Sequence, residues 1–317
     1  MTSASLLEVR DLVVCYGNHE AVHRVSLEVR SGEVVGLIGP DGAGKTSTLR
    51  VLGGLLQADS GSATAFGEDC WRERRSLHTR LGYLAQRFAL YGDLTVDENI
   101  QFFALMYGVP DWRTRRRKLL ELVGLAPFHD RLADRLSGGM KQKLALACTL
   151  IHSPRALLLD EPTTGVDPVT RREFWRLLAD LVSDGLTLLI ATPYLDEAER
   201  CTRVLLMHEG TILADARPQE IPDLMPGTVI EITASPRAAA IEALRTLDSV
   251  VDVSVFGTTL HAHLVGATDP GGSIREALAR RQIDVESTRE VPAGLEDTFL
   301  YLTRTATASH ATEASWS

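Results

Sequence analysis

Eight consecutive residues, Gly39-Pro40-Asp41-Gly42-Ala43-Gly44-Lys45-Thr46, fit the pattern G-x-x-x-x-G-K-[ST]. Backbone N–H groups in such a turn can wrap a phosphate, and a helix starting there adds positive potential. In this pattern Lys45 reaches the β- and γ-phosphates of a nucleoside triphosphate as a point charge, and the Thr46 hydroxyl ligates Mg²⁺. Ser47, the next residue, is counted with the phosphate-binding group. A second candidate is the carboxylate pair Asp160-Glu161, at the carboxyl end of the apolar run Ala156-Leu157-Leu158-Leu159. Open α/β sheets bind ligands at that end of their strands. A third is Leu136-Ser137-Gly138-Gly139-Met140, where Ser137 is a suitable helix N-cap and the two glycines allow close backbone approach.

The elements that must hold these residues follow from periodicity. Val34-Val35-Gly36-Leu37-Ile38 predicts a buried strand, and 45–55 a helix with Leu49, Leu52 and Leu55 on one side. Strand, glycine turn and helix are the setting that makes the phosphate motif credible; the competing reading is a βα turn that binds nothing. Upstream, 6–14 and 26–29 alternate as strands about Gly17-Asn18. The region 71–79 predicts a surface helix and 81–85 a strand ending at Gln86. Thr95-Val96-Asp97-Glu98 is a capping box for a helix through 107. The basic run 113–118 leads into an amphipathic helix and is read as a solvated face rather than a nucleic-acid patch. The run 187–191 is a second buried strand, and 204–207 with 211–214 a hairpin about Glu209-Gly210. Pro218, Pro222 and Pro226-Gly227 mark a linker at 220–227. Beyond it, 228–302 reads β-α-β-β-α-β with a short closing helix at 295–302, the order of a small ferredoxin-like α+β domain. The Ala/Thr/Ser-rich stretch 303–317 is expected to be disordered.

Two further patterns are weighed and set aside. His19-Glu20-Ala21-Val22-His23 matches H-E-x-x-H, but zinc binding by that motif needs a helix, and here it lies between strand segments. His261 and His263 share one strand face and are read as exposed polar positions rather than a metal pair.

The bulk properties bound the class. The 317 residues accommodate a large domain and a smaller one, with 44% apolar and 24% charged residues. A net charge of −9 opposes general nucleic-acid binding. Cys15, Cys70, Cys148 and Cys201 are scattered without a C-x-x-C and read as reduced structural thiols. No apolar run approaches the roughly 20 residues that span a bilayer, and the first residues lack the pattern of a signal peptide.

The order of these motifs, with Gly165-Val166-Asp167-Pro168 following Asp160-Glu161, resembles the ATP-binding cassette of ABC transporters over residues 6–219. The resemblance implies a P-loop ABC ATPase cassette with a mixed sheet core, an antiparallel β subdomain and a helical subdomain. It assigns ATP and Mg²⁺ as cofactors. It makes Tyr16 the aromatic that stacks on adenine, the competing reading being a packing residue at a strand end. By the same resemblance Gln86 touches Mg²⁺ and links the site to the helical subdomain, Asp160 holds Mg²⁺ through water, and Glu161 is the general base. Ser137, Gly138 and Gly139 would serve ATP held by a second cassette in a head-to-tail dimer, with Asp167 at the seam. Phe88, Leu90, Tyr91 and Leu94 would receive a membrane subunit or pack locally.

One position departs from the family pattern. Ala191-Thr192-Pro193-Tyr194-Leu195-Asp196-Glu197-Ala198-Glu199 aligns well, but Pro193 stands where the family has a histidine on the γ-phosphate. Proline offers no donor. Firm ATP binding with slow hydrolysis at this chain's own P-loop is expected, and pairing with a different, His-containing cassette. A similar loss occurs in the first cassettes of some two-cassette drug-efflux ATPases, which 39–46 and 136–143 also resemble. The C-terminal region resembles the accessory domain of drug-efflux ATPases, Pro292-Ala293-Gly294-Leu295-Glu296-Asp297-Thr298-Phe299-Leu300 fitting their ending. Together these imply the ATP-hydrolysing subunit of an exporter, peripheral on the cytoplasmic face of the membrane, driving efflux of a hydrophobic compound through separate ABC-2 type permease subunits. The rival readings are a regulatory subunit that binds ATP with little hydrolysis, and a soluble ABC ATPase acting on nucleic acid or ribosomes.

Overall fold

The computed structural model describes residues 5–87 and 90–314. The chain divides into two compact units, Met1–Asp215 and Ala216–Ser317, the division falling just before the expected boundary at 219.

The first unit begins with two long strands, β1 (Ser5–Tyr16) and β2 (His19–Arg30), paired antiparallel across the Gly17-Asn18 turn. Next come β3 (Val34–Ile38) and α1 (Lys45–Leu52). The helix is shorter than expected, because Gly53 caps it and Gly54, at φ +63°, turns the chain away. β4 (Ser60–Ala65) and β5 (Glu68–Asp69) extend the first sheet in the order β2-β1-β4-β5. The surface helix predicted at 71–79 is a single turn, α2 (Arg74–Leu77), followed by β6 (Leu81–Leu84).

A helical region follows. It holds α3 (Val96–Met106), with the full Thr95–Glu98 capping box, then α4 (Trp112–Leu122) and α5 (Gly138–Leu150), N-capped by Ser137. The chain then returns through β7 (Ala156–Asp160), α6 (Pro168–Ser183), β8 (Thr187–Thr192), β9 (Arg203–His208) and β10 (Thr211–Ala216). These strands build a second sheet in the order β10-β9-β3-β8-β7-β6, in which β9, β3, β8, β7 and β6 run parallel. β3, β7 and β8 are buried at every position, as strands covered on both faces must be. One apolar cluster joins both sheets through Leu49 and Leu52 of α1. The phosphate turn is thereby fixed between two rigid layers.

The second unit runs β11 (Thr228–Ser235), α7 (Arg237–Leu244), β12 (Val250–Phe256), β13 (Thr259–Leu264), α8 (Pro270–Arg280), β14 (Asp284–Val291) and α9 (Leu295–Ala314). Its antiparallel sheet has the order β12-β13-β11-β14, with the two crossover helices between outer and inner strands, a ferredoxin-like topology. Ile230, Ile232, Leu260, Ala262 and Leu264 face Leu244, Ile274 and Leu278 in a core of its own.

Several expectations are corrected here. The closing helix does not stop at 302: α9 continues to Ala314 through the stretch expected to be disordered. No glycine or proline interrupts it, and Arg304 ion-pairs with Asp252 of the sheet, which anchors the helix past that point. Residues 315–317 lie outside the described residues. His263 is buried and His261 nearly so, because α9 covers their face of the sheet: His261 Nδ1 meets Asp297 Oδ1 at 2.9 Å, and His263 stacks edge-on against Tyr301. Within the stretch read as a linker, Pro222–Leu224 forms a 3-10 turn flanked by buried Ile221 and Met225. Among the described residues, no helix is long and apolar enough to cross a membrane.

Candidate functional site

The turn 39–46 joins the carboxyl end of β3 to the first residue of α1. Two of its glycines are required by the space. A Cβ on Gly39 would lie 2.0 Å from the Met207 carbonyl oxygen, and one on Gly44, whose φ is +99°, would lie 2.5 Å from that of Ala21. The turn walls a cleft of about 340 Å³ together with Tyr16, His19, Gln86 and Glu161. A wider cleft of about 530 Å³ lies elsewhere on this unit, lined by Arg115, Leu119 and Leu181, and holds none of the predicted residues.

Lys45 is 3% exposed. Its Nζ donates to Gly39 O and Pro40 O, both at 2.8 Å, and stands 4.0 Å from Glu161 Oε1. Burial pulls its pKa below the ordinary lysine value, and Glu161, Asp41 and Asp160 oppose that pull. Thr46 Oγ1 donates to Asp160 Oδ1 at 2.9 Å, and the Tyr83 hydroxyl donates to Asp160 Oδ2 at 3.1 Å. Burial first, and then the Asp160 carboxylate, push the Tyr83 phenol well above its usual pKa, so it remains a donor. Glu161 accepts at Oε2 from Gln86 Nε2 (2.7 Å) and Thr164 Oγ1 (3.1 Å). Its backbone has φ +49°, unfavourable for a residue with a Cβ, and its N–H is tied to Ala191 O at 2.8 Å.

The structure therefore brings Tyr16, Lys45, Thr46, Ser47, Gln86, Asp160 and Glu161 together. Tyr16 is 47% exposed at the rim, with its hydroxyl 3.1 Å from Ser47 Oγ. Ser137, Gly138 and Gly139 are not among the lining residues. They form the start of α5, where Ser137 Oγ accepts from Met140 N, Gly138 has open space before it, and Gly139 packs against Thr170. Asp167 caps α6 by accepting from Val169 N and Thr170 N at 3.0 Å. Pro193 follows β8 and is partly buried. Of the aromatic and apolar residues expected to receive a partner, Tyr91 is 44% exposed beside Phe102, and Phe88 lies outside the described residues. The H-E-x-x-H match lies in β2, where residues four apart are separated by about 13 Å, too far to share a metal. His19 instead stands at the cleft rim.

Sequence reasoning missed Tyr83 and Thr164. Tyr83 pairs with Leu158 in the parallel ladder, two positions from Asp160 and so on the same sheet face. That pairing is visible only once β6 is placed next to β7.

A family profile described as ABC transporter matches residues 22–164, from β2 to just past the carboxylate pair. The daunorubicin resistance ATP-binding protein DrrA2 of Streptomyces coeruleorubidus is 34% identical over 295 residues, covering 91% of this chain and 92% of that protein. The chain belongs to the ABC transporter ATP-binding family. The probable multidrug ABC transporter ATP-binding protein YbhF of Escherichia coli is 42% identical over 287 residues. That match covers 89% of this chain, and the chain spans about half the length of that relative, 49%. Among solved structures, an ATP-binding subunit of an ABC transporter superposes with a TM-score of 0.63 at 28% identity, covering 69% of this chain and 92% of its own. Nucleotide binding comes with membership of the ABC family, and the cleft under Gly39–Thr46 has the donors for it.

Proposed function

We propose that this ABC cassette binds and hydrolyses ATP and that the cycle powers export of a hydrophobic compound through separate membrane subunits. One observation carries the chemistry. Glu161, a buried carboxylate lining the cleft 4.0 Å from Lys45 Nζ, is held by Gln86 and Thr164 one residue beyond the Asp160 that binds Thr46. Lys45 would exchange the Gly39 and Pro40 carbonyls for the β- and γ-phosphate oxygens. Glu161 would take the proton of the attacking water, and Tyr16 would carry the adenine at the rim. Thr46 Oγ1 and the Asp160 carboxylate, 2.9 Å apart, and the Gln86 amide carbonyl are hard oxygen donors, a set that fits Mg²⁺. The ion, when bound, supplies neutralisation of the charge that develops on the γ-phosphate.

The multidrug and daunorubicin-resistance names of the Escherichia coli and Streptomyces relatives support a drug-type cargo. The open side of Gly138 supports a composite site in which Ser137, Gly138 and Gly139 close over nucleotide held by a second cassette. We further propose ABC-2 type permeases as membrane partners and a position on the cytoplasmic face of the membrane.

A second reading, a cassette that binds ATP but turns it over slowly, is favoured by Pro193, which has neither side-chain donor nor N–H. Steady-state ATPase of the full chain and of Pro193→His tests it. The slow-site reading expects a rise of at least about tenfold in kcat for the histidine variant, as for a restored transition-state hydrogen bond. Equal rates would refute it. Glu161→Gln tests the main reading: ATP binding persists while kcat falls by about 10²-fold or more. Unchanged turnover in that variant would remove Glu161 as the base.

A further inference from the structure

Four residues beyond Pro193, in the 3-10 segment Leu195–Arg200, Glu197 is buried to 1% exposure. Its Oε1 accepts from Thr163 Oγ1 at 2.6 Å and from Trp175 Nε1 at 3.1 Å. Arg171 Nη1 is 4.0 Å from the same oxygen and 3.6 Å from Asp196 Oδ2. Oε2 is buried with no hydrogen-bond partner among the described residues. Burying a carboxylate with one free oxygen is costly, so its place in the core calls for a reason beyond packing.

The partners supply that reason. Thr163 lies two residues past Glu161, on the loop whose next residue, Thr164, donates to the Glu161 carboxylate. Trp175 and Arg171 belong to α6, which Asp167 caps. A backbone in the unfavourable region that Glu161 adopts persists only where its surroundings over-determine it. On one side Glu161 N–H is tied to Ala191 O at the end of β8. On the other, the Thr163–Glu197 bond fastens the loop. Glu197 thus joins the segment carrying Pro193, the loop carrying Glu161 and the start of α6.

We propose that Glu197 is a positioning residue for hydrolysis: through Thr163 it holds the Glu161 loop in its reactive conformation and couples that loop to α6 and the Pro193 segment. It rests on the ATP-hydrolysis reading above. A residue that acts only in positioning lowers kcat and leaves ATP affinity nearly untouched.

The test uses the full chain with Glu197→Ala, Glu197→Gln and Thr163→Val. Measurements are ATPase kcat and KM, equilibrium Mg-ATP binding, Tm, and the Trp175 indole N–H resonance with and without Mg-ATP. Glu197→Ala and Thr163→Val are expected to lose about tenfold in kcat with KM within about twofold. Glu197→Gln, which keeps an acceptor oxygen for Thr163 and Trp175, is expected to stay within about threefold of wild type. Mg-ATP should move the Trp175 resonance in wild type and Glu197→Gln, and leave it in place in Glu197→Ala. Thr163→Val keeps the side-chain volume, so it carries the test should Glu197→Ala not fold. Variants that lower Tm but keep wild-type kcat, or a Trp175 resonance indifferent to bound nucleotide, would overturn the proposal alone. A chain that binds Mg-ATP without any turnover would overturn the hydrolysis reading, and the Trp175 response would still decide the coupling. A chain that binds no Mg-ATP overturns both.

Discussion

Tyr83 shows how much a single hydroxyl can matter in this cleft. It holds one oxygen of Asp160 while Thr46 holds the other, so the carboxylate has one orientation before nucleotide arrives. Tyr83→Phe removes that hold without changing shape. It is expected to raise the Mg²⁺ concentration for half-maximal ATPase by about tenfold or more, the worth of one hydrogen bond to a charged group. A magnesium titration at saturating ATP measures it. Asp167 gives a pH prediction. Hydrogen bonds from Thr170, its side chain foremost, hold the Asp167 carboxyl below its ordinary value of 3.8. The folded pKa lies beneath the unfolded one. The cap's contribution is therefore complete above about pH 4 and is lost as pH falls through the folded value. The Tm gap between wild type and Asp167→Ala should be constant from neutral pH to about pH 5 and narrow below about pH 4. A gap that widens on acidification would contradict the sign. At this scale the sequence spoke clearly for Lys45, Thr46, Asp160 and Glu161, whose spacing within one motif or one strand end is local. It was silent on Tyr83, Thr164 and Glu197, because each acts through a partner brought near by sheet order or by a loop.

Among the elements, α1 and α5 both start beside glycines but are capped differently, α1 by a left-handed Gly44 and α5 by the Ser137 hydroxyl, and they do different work. α1 opens the cleft of its own unit. α5 begins with Ser137 over open space, since Gly138 meets nothing within 4 Å of where a Cβ would stand, whereas a Cβ on Gly139 would lie 2.3 Å from Thr170 Cγ2. The two glycines therefore separate fold from partner. Gly138→Ala is expected to leave Tm within about 2 °C while lowering ATPase by about tenfold or more if a second cassette's nucleotide must approach there. Gly139→Ala should lower Tm through the collision with Thr170, by several degrees. Thermal melts beside ATPase assays separate the two. The strands and helices of the first unit were readable because burial on both faces writes continuous apolar runs at β7 and β8, and capping chemistry writes the starts of α3 and α5. The first part of α9 was expected as a short closing helix, but its continuation past residue 302 was not readable: the Ala/Thr/Ser composition there carries little helical pattern, and its hold on the sheet comes from Arg304 with Asp252. The same covering helix explains why His261 and His263, alternating as exposed residues would, are enclosed instead.

At the level of the whole chain, two units each have a separate apolar core. Unfolding is expected to depart from a single two-state transition, with Mg-ATP raising the melting of the nucleotide-binding unit alone by mass action. Differential scanning calorimetry with and without nucleotide checks this, and one transition shifted as a whole would contradict it. The overall architecture was legible from motif order and the change of pattern after Pro226, and both units adopt the topologies expected of them. The cargo is written in neither sequence nor fold, since what it touches belongs to other subunits in the proposed exporter. What does belong to this chain is the claim that the turn 39–46 with Lys45 and Glu161 is a working ATP site. The most direct test is equilibrium binding of Mg-ATP to the full chain and to Lys45→Ala. The account predicts saturable binding by the wild type and affinity weakened by about 30-fold or more in the variant, as befits loss of a buried charge on the phosphates. Equal affinity in both, or no binding by the wild type at millimolar nucleotide, would contradict it.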